Sequence, residues 1–285
     1  MKTDFEIAIV GYGFVGAAVD AGFSLSCEKY IIDPCKFDNK VEDLNSKDIK
    51  VSFVCVPTPM SKDSSIDDSI LKETVEKLLK YTRGIVAIKS TVTPDLIKEL
   101  TTNNQRVIYN PEFLTERNYV NDFIDPIMHV FGGDKDKIDE LETFYQNHSL
   151  CNMKVPIYKM SGEEASFVKY TMNTYLMSKV LWFNQLYDLV KKFGSCDYNT
   201  IIEAVGTDPR IGSSHTKVPG HDGRRGAGGS CFAKDGPAFV KFSKKQGTEL
   251  SILKEILRRN QVYRNSYSEP LQREREQHIH FNYEF

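Results

Sequence analysis

A glycine signature between two strand-like runs constrains this chain more than any other stretch. Phe5-Glu6-Ile7-Ala8-Ile9-Val10 is a short apolar run of the kind buried on both faces of a parallel sheet. It leads directly into Gly11-Tyr12-Gly13-Phe14-Val15-Gly16, a G-x-G-x-x-G match, and then into a helix-compatible stretch from Ala17 to about Ser26. A second strand, Tyr30-Ile31-Ile32, ends at Asp33. In this arrangement the first glycine makes the turn. The second lets a pyrophosphate approach the helix N-terminus, where backbone N–H groups and the helix dipole favour anions. Asp33 can accept both hydroxyls of a ribose and would repel a 2′-phosphate, so the motif points to NAD rather than NADP.

Strand and helix signals go on alternating. Strands are expected over Val51 to Val56, Gly84 to Lys89, Arg106 to Tyr109, Ile127 to Phe131 and Val155 to Tyr158. Helices are expected over about Ile66 to Tyr81 and Asp134 to His148. This pattern implies an α/β fold, a Rossmann-type doubly wound parallel sheet. Ligands of such sheets sit beyond the carboxyl ends of the strands. Pro57-Thr58-Pro59, Thr91 and Glu112 to Glu116 leave strands at that edge. Each of these residues fits a turn or cap as well as a ligand contact.

The second half reads as helical. Ser161-Gly162-Glu163-Glu164 is a capping box, and a long helix should follow to about Phe193. Ala165, Val168, Met172, Tyr175, Leu176, Phe183, Leu186 and Val190 form a stripe at helical spacing, with Val180, Leu181 and Leu189 off it. A helix apolar on several sides is buried on several sides, which suits a domain-spanning helix that also serves a homodimer or higher homo-oligomer, or one whose aromatic residues serve the core alone. Lys169 and Asn173 share one face of it. They fit a solvated edge, or a pair that stabilises a developing oxyanion and orients a substrate oxygen. Further helices are expected over Asp197 to Ala204, Pro237 to Gln246 and Glu249 to Tyr263. The expected division is 1–160 for the cofactor domain, 161–265 for a helical domain and 266–285 for a solvated polar tail containing His278-x-His280 and the mixed-charge run 272–277.

Between the helices lies Gly206 to Gly229, rich in glycine, proline and basic residues, which fits either a flexible loop or a site for a phosphate-bearing substrate. It runs into Gly226-Ala227-Gly228-Gly229-Ser230-Cys231-Phe232-Ala233-Lys234-Asp235. A cysteine among glycines, flanked by a basic and an acidic residue, is a candidate nucleophile. A nicotinamide site plus such a cysteine suggests oxidation of an alcohol or aldehyde through a covalent intermediate.

Composition narrows the class. The 285 residues suffice for two domains, and a formal net charge of −2 argues against a nucleic-acid partner. No apolar run reaches the length of a membrane span, and Met1-Lys2-Thr3-Asp4 leads into a strand with no signal-peptide core. The six cysteines form no C-x-x-C pair and the six histidines no metal spacing. A reducing cytoplasm and no bound metal are therefore expected.

These motifs together resemble the UDP-glucose 6-dehydrogenase family, within the UDP-glucose/GDP-mannose dehydrogenases. The resemblance runs from residue 5 to about 262. It rests on GYGFVG at 11–16, VCVPTP at 54–59, KST at 89–91, NPEFLTE at 110–116, Lys169-x-x-x-Asn173, DPRIG at 208–212 and GAGGSCFAKD at 226–235. It implies two successive NAD-dependent oxidations of a nucleotide sugar, UDP-glucose foremost, from C6 alcohol to carboxylate, a step of polysaccharide biosynthesis. It makes Cys231 the nucleophile and sets Lys169 and Asn173 on the C6 oxygen. Asp235 would position water or tune Lys169, and Glu112 would assist proton transfer or thioester hydrolysis. The cofactor set it implies is Gly11, Gly13, Phe14, Val15, Gly16, Asp33, Lys36, Pro57, Thr58, Thr91, Glu116 and Lys234. The substrate set is Glu112, Phe113, Leu114, Glu116, Lys169, Asn173, Arg210, Gly220, Arg224 and Gly228, with Arg210 resembling an arginine that reaches the substrate, in some members from a neighbouring subunit.

The resemblance has departures. Family members continue through a third, nucleotide-holding domain, so the chain is expected to be a short form. Ala227 stands where an aromatic is common, Ala233 where a proline is common, and Arg117-Asn118 where a glycine follows the glutamate. Two other readings stay open on the residues. A two-electron β-hydroxyacid dehydrogenase shares the two-domain plan and Lys-x-x-x-Asn but leaves Cys231 without a role. A non-catalytic NAD-binding protein would keep the first domain only for binding.

Overall fold

The computed structural model describes residues 5–23 and 27–283. The chain divides into two compact units: Met1–Thr58 with Asp68–Lys169, and Pro59–Asp67 with Tyr170–Phe285. The division falls inside one long helix rather than at residue 160, and residues 266–283 belong to the second unit.

The first unit is a seven-stranded sheet. Its strands are β1 (Phe5–Val10), β2 (Cys27–Ile32), β3 (Ile49–Val54), β4 (Ile85–Ile88), β5 (Val107–Tyr109), β6 (His129–Gly132) and β7 (Ile157–Met160), in the order β2-β1-β3-β4-β5-β6-β7. All neighbours pair parallel except β5 and β6, which meet antiparallel at Tyr109 and Gly132. The doubly wound parallel sheet expected from the sequence is present, with β5 and β6 as its one antiparallel pair. All four residues of β6 are buried, so its apolar run reads the same in either direction.

Alternate residues of each strand feed opposite layers. Ile7, Ile9, Val51, Phe53, Ile85 and Ala87 pack with Ala18 and Val19 of α1 (Phe14–Gly22), Phe123 of α4 (Tyr119–Ile124), and Ile138, Leu141 and Tyr145 of α5 (Lys135–His148). Ala8, Val10, Val54, Val86 and Ile88 pack with Leu71, Val75 and Leu78 of α2 (Ser69–Tyr81) and Leu96 and Ile97 of α3 (Pro94–Asn103). Coverage on both faces is why these strands are unbroken apolar runs. Helix α1 starts three residues earlier than expected, at Phe14, so the last glycine of the motif is already helical; the expected end at Ser26 lies outside the described residues. Helix α2 starts three residues later, at Ser69.

The second unit is helical. It contains the larger part of α6 (Gly162–Phe193), then α7 (Tyr198–Gly206), α8 (Phe232–Lys245), α9 (Ser251–Arg264) and the short α10 (Gln272–Glu276). Met177 and Leu181 of α6, Ala233 and Val240 of α8, and Leu253 and Leu257 of α9 form its main core. Residues 207–231 contain no helix or strand.

Three expectations need correction here. Helix α8 begins at Phe232, five residues before the proline that was expected to open it, and Pro237 lies inside the helix. A proline there leaves the Ala233 carbonyl without its helical donor, a cost tolerated where tertiary packing holds the helix. Tyr175 was placed on the buried stripe of α6 yet is 64% exposed, while Tyr170 and Met177 are fully buried. The stripe was drawn as one face, but the partners of α6 change along its length. The last residues are no solvated tail: Glu274 is fully buried, and Ile279 and Tyr283 join the second core. An alternating apolar set at 279, 281 and 283 and a buried cation for Glu274 outweigh the polar composition.

Leu257 has no exposure, and a Cβ on Gly236 would lie 3.0 Å from both the Leu257 Cδ2 and the Met177 sulfur. Leu257→Ala leaves a cavity where α6, α8 and α9 converge and is expected to destabilise the protein by about 2–5 kcal/mol. The check is a lowered denaturation midpoint followed by far-UV circular dichroism.

Candidate functional site

The residues expected at the site fall in both units, and each group has its own geometry. In the first unit the sheet order reverses between β1 and β3, which marks a topological switch point. The glycine turn sits at it. Gly11 adopts φ +87°, and a Cβ there would lie 2.6 Å from the Cys55 carbonyl oxygen. Only glycine supplies both the left-handed backbone and the close approach. A Cβ on Gly16 would lie 2.1 Å from the Gly11 oxygen, so this glycine serves helix–strand contact. Gly13 caps α1 with no side-chain hydrogen bond and faces open space, leaving the helix N-terminus accessible to an anion.

Asp33 is oriented by two backbone donors. Its Oδ2 accepts from the Tyr12 N–H at 2.8 Å and its Oδ1 from the Cys35 N–H at 2.9 Å. Lys36 Nζ donates to the Tyr12 carbonyl at 2.6 Å and lies over the Tyr12 ring. The Tyr12 hydroxyl donates to Asp20 at 2.5 Å, and this bond, reinforced by burial, pushes the phenol up to about 12. Asp33, Lys36 and the glycine turn are therefore one connected structure. Phe14 and Val15 are half-buried in the first turn of α1, and Pro57 is exposed beyond β3.

The loops after β3 and β4 touch each other. Thr58 Oγ1 donates to the Thr91 carbonyl at 3.1 Å, and Ser90 Oγ to the Val56 carbonyl at 2.7 Å. Thr58 and Thr91 are both buried. Next to them Lys89 is buried and donates to both the carbonyl and the Oδ1 of Asn110, each at 3.0 Å. Burial pushes the Lys89 ammonium down from its ordinary value. Lys89 was seen only as part of a motif; a lysine ending an apolar strand was the available signal.

Glu112 and Lys169 form a buried pair. Lys169 Nζ donates to Glu112 Oε1 at 3.1 Å and to the Glu112 carbonyl at 2.6 Å. The second carboxylate oxygen accepts from the Leu114 N–H at 2.6 Å. Phe113 and Leu114 are half-buried, while Glu116 is exposed. A buried ammonium with a fixed carboxylate is equipped to stabilise charge on a substrate oxygen and to exchange a proton.

In the second unit Cys231 is the N-cap of α8. Its carbonyl accepts from the Asp235 N–H at 2.9 Å, and its sulfur lies 3.7 Å from Ser230 Oγ. Helix N-termini favour anions. The early start of α8 brings Lys234 and Asp235 into the helix. Asp235 has no exposure; Asn173 Nδ2 and Lys234 Nζ donate to its two oxygens at 2.6 Å each. By contrast burial pushes the Cys55 thiol up to about 12 and the Cys151 thiol to about 11, which suits packing rather than nucleophilic roles.

Gly226 and Gly228, ahead of Cys231, lie on α9. Asn260 accepts from the Ala227 N–H at 2.7 Å and donates to the Ala227 carbonyl at 2.9 Å. A Cβ on Gly228 would lie 2.2 Å from Arg264 Nη2. Arg225 stacks on Tyr187 and Tyr263 and donates to Asn184 and Asp188. Arg224 stacks on Tyr267 and donates to the Glu269 carbonyl at 2.6 Å. Gly220 is half-buried, its N–H bonded to the Arg224 carbonyl. Arg210 stands apart, highly exposed and paired with Asp208 at 2.6 Å. Sequence reasoning missed Asn260 and Arg264. An asparagine inside a helical stretch was the only hint.

Residues 33–149 match the NAD binding domain of the UDP-glucose/GDP-mannose dehydrogenase family, and residues 163–262 match its central domain. The chain is 30% identical to the UDP-glucose 6-dehydrogenase AglM of Haloferax volcanii, over 87% of this chain and 67% of that protein. It is 35% identical to the uncharacterized protein MJ1054 of Methanocaldococcus jannaschii, over 74% of this chain and 24% of that one. The solved UDP-glucose dehydrogenase of the hyperthermophilic archaeon Pyrobaculum islandicum superposes with a TM-score of 0.76 at 27% identity, covering 92% of this chain and 69% of that one. The chain thus spans 24% to 69% of these relatives' lengths.

A nicotinamide-type dehydrogenase fold is what the sheet, the glycine turn and Asp33 define. The chain belongs to the UDP-glucose/GDP-mannose dehydrogenase family. Its cofactor is NAD, and the residues fit it: an open helix N-terminus for the pyrophosphate and a pre-oriented carboxylate for the ribose. Asp33→Ala removes that acceptor and loosens the Tyr12 turn. It is expected to weaken NAD binding about tenfold or more while narrowing the preference over NADP, as measured by titration calorimetry with both dinucleotides.

Proposed function

We propose that the protein is an NAD-dependent nucleotide-sugar 6-dehydrogenase that oxidises UDP-glucose to UDP-glucuronate. The observation that carries this reading is Cys231 at the head of α8, one turn before a buried carboxylate held by both Asn173 and Lys234. A non-catalytic NAD-binding protein has no use for that arrangement, and a two-electron dehydrogenase has none for the thiol.

Bound NAD supplies the hydride acceptor for each of two oxidations. In the first, C6 would lose a hydride and its hydroxyl would lose a proton, carried by Glu112 toward solvent, while the Lys169 ammonium and the Asn173 amide steady the C6 oxygen. The aldehyde that results is a poor hydride donor because its carbon is trigonal. The Cys231 thiolate adds to that carbon, forming a C–S bond and a tetrahedral oxyanion that Lys169 and Asn173 again stabilise. Loss of the second hydride leaves a thioester on Cys231. Water then attacks the thioester carbon, Glu112 takes the water's proton, and the C–S bond breaks to release carboxylate and thiolate. Asp235 holds the Asn173 amide and Lys234 in place throughout.

Family membership and the NAD site support an oxidoreductase of nucleotide sugars; UDP-glucose is preferred because the named relatives AglM and the Pyrobaculum islandicum enzyme act on it. No described helix is long and apolar enough to cross a membrane, in keeping with a cytoplasmic enzyme of polysaccharide precursor synthesis.

The active form is proposed to be a homodimer or a higher homo-oligomer. Tyr175, Trp182 and Leu189, seven residues apart on α6, are each about two-thirds exposed, and Phe193 is 71% exposed. With Ile211, Ile252 and Ile256 the upper part of this row lines a groove of about 680 Å³. A heptad-spaced apolar row suits packing against a second copy.

The test is NADH release from the purified chain with UDP-glucose, UDP-N-acetylmannosamine and GDP-mannose. Two NADH per UDP-glucose are expected. Cys231→Ser is expected to lower kcat by at least ~10³-fold, as loss of a nucleophile does. One NADH per sugar with undiminished turnover in Cys231→Ser would refute the mechanism. For the assembly, Trp182→Glu is expected to convert the oligomer to monomer in sedimentation velocity; an unchanged sedimentation coefficient would place the interface elsewhere.

A further inference from the structure

We infer that Glu274, acting through Arg264, is a positioning residue for the cysteine loop; the inference rests on the reading of Cys231 as nucleophile. The run Gly226-Ala227-Gly228-Gly229 has no side chain beyond a methyl by which it could be anchored. Gly226 and Gly229 adopt φ +77° and +76°, a backbone with many alternatives open to glycine. What fixes the run is one face of α9. Asn260, Tyr263 and Arg264 are spaced i, i+3, i+4 and lie together on that face. Asn260 brackets Ala227 by its N–H and carbonyl, and the Arg264 guanidinium lies directly beneath the Gly228 α-carbon. Cys231 follows three residues later.

Arg264 can form that floor only while its charge is compensated. Its side chain has no exposure. Asp222 Oδ2 accepts from Nη1 at 2.7 Å, and Glu274 Oε1 accepts from Nη2. Among the described residues Nε has no hydrogen-bond partner; the guanidinium also faces the Phe281 and Tyr267 rings, but its counter-charges are those two carboxylates. The second oxygen of Glu274 accepts from the Leu271 N–H at 2.8 Å, and Arg224 Nη1 stands 4.0 Å from it. Glu274 is itself fully buried in α10, the helix that the sequence placed in a solvated tail. A buried cation stripped of one counter-charge moves toward water or draws water in. Either response removes the support under Gly228. The residues after α9 are therefore a brace: α10 sets Glu274, Glu274 sets Arg264, and Arg264 sets the backbone that presents Cys231.

The test compares Glu274→Gln and Asp222→Asn with the parent, and uses Glu276→Gln, an exposed change on the same helix, as control. The first readout is the iodoacetamide alkylation rate of Cys231 by peptide mass spectrometry, with exposed Cys196 as internal reference. The second is kcat and KM for UDP-glucose, and the third is the melting temperature. Glu274→Gln is expected to raise Cys231 alkylation relative to Cys196 several-fold and to lower kcat about tenfold, the scale of a misplaced reacting group. Asp222→Asn is expected to do the same more weakly, and Glu276→Gln to do neither. Asp222 lies partly in solvent, so its variant carries the test if Glu274→Gln does not fold. An unchanged alkylation ratio in a folded Glu274→Gln or Asp222→Asn protein overturns the inference. A changed ratio in a parent that forms no NADH leaves the brace standing and removes the dehydrogenase reading instead.

Discussion

A carboxylate with no exposure organises the chemical end of the helical unit. A polar group sealed from water needs hydrogen-bond partners, and Asp235 has two, Asn173 from α6 and Lys234 from its own helix. Removing one partner of a buried charged group typically costs about 3–5 kcal/mol, far more than a surface pair contributes. That penalty locks the first turn of α8 against α6 and fixes where Cys231 stands. It also explains why α8 runs through Pro237: packing of Ala233, Ala238 and Val240 and the Asp235 bonds together exceed the loss of one helical hydrogen bond.

The two units solve the same problem in opposite ways. Around the dinucleotide turn, backbone must come close to backbone, and glycine is used because any Cβ would collide. At Gly11 the obstacle is the Cys55 carbonyl, and at Gly16 it is the Gly11 carbonyl. Ahead of Cys231, Gly226 and Gly228 lie against side chains instead, those of Asn260 and Arg264, while Gly229 faces open space. This second loop takes its shape from polar side chains: Asn260 hydrogen-bonds both the N–H and the carbonyl of Ala227, and Arg264 packs against Gly228. Such a loop is open to adjustment by whatever sets those side chains.

Much of the site was legible in the order of residues. The glycine spacing, Asp33 at the end of the second strand, Lys169 with Asn173, and Cys231 among glycines each carry a local signature. Those signatures exist because short-range geometry demands particular residue types: glycine for close approach, an acid for two hydroxyls, a thiol beside charge. Other features had no such signature. Arg264 and Glu274 are ten residues apart in polar surroundings, and nothing local says that both side chains are sealed from water. The direction of β6, the early start of α8 and the exposure of Tyr175 were likewise invisible. Each depends on which distant surface covers a residue, and periodicity cannot report that.

By itself, then, the order of amino acids determined the alternation of strand and helix, the place of the dinucleotide turn and the identity of the nucleophile candidate. These follow from hydrophobic period and from the conformational range of single residues, both local properties. Only the tertiary structure decided which charges are buried together. It paired Glu112 with Lys169, Asp235 with Asn173 and Lys234, and Arg264 with Asp222 and Glu274. A charge's environment is the sum of everything packed around it, and that sum exists only once the chain has folded.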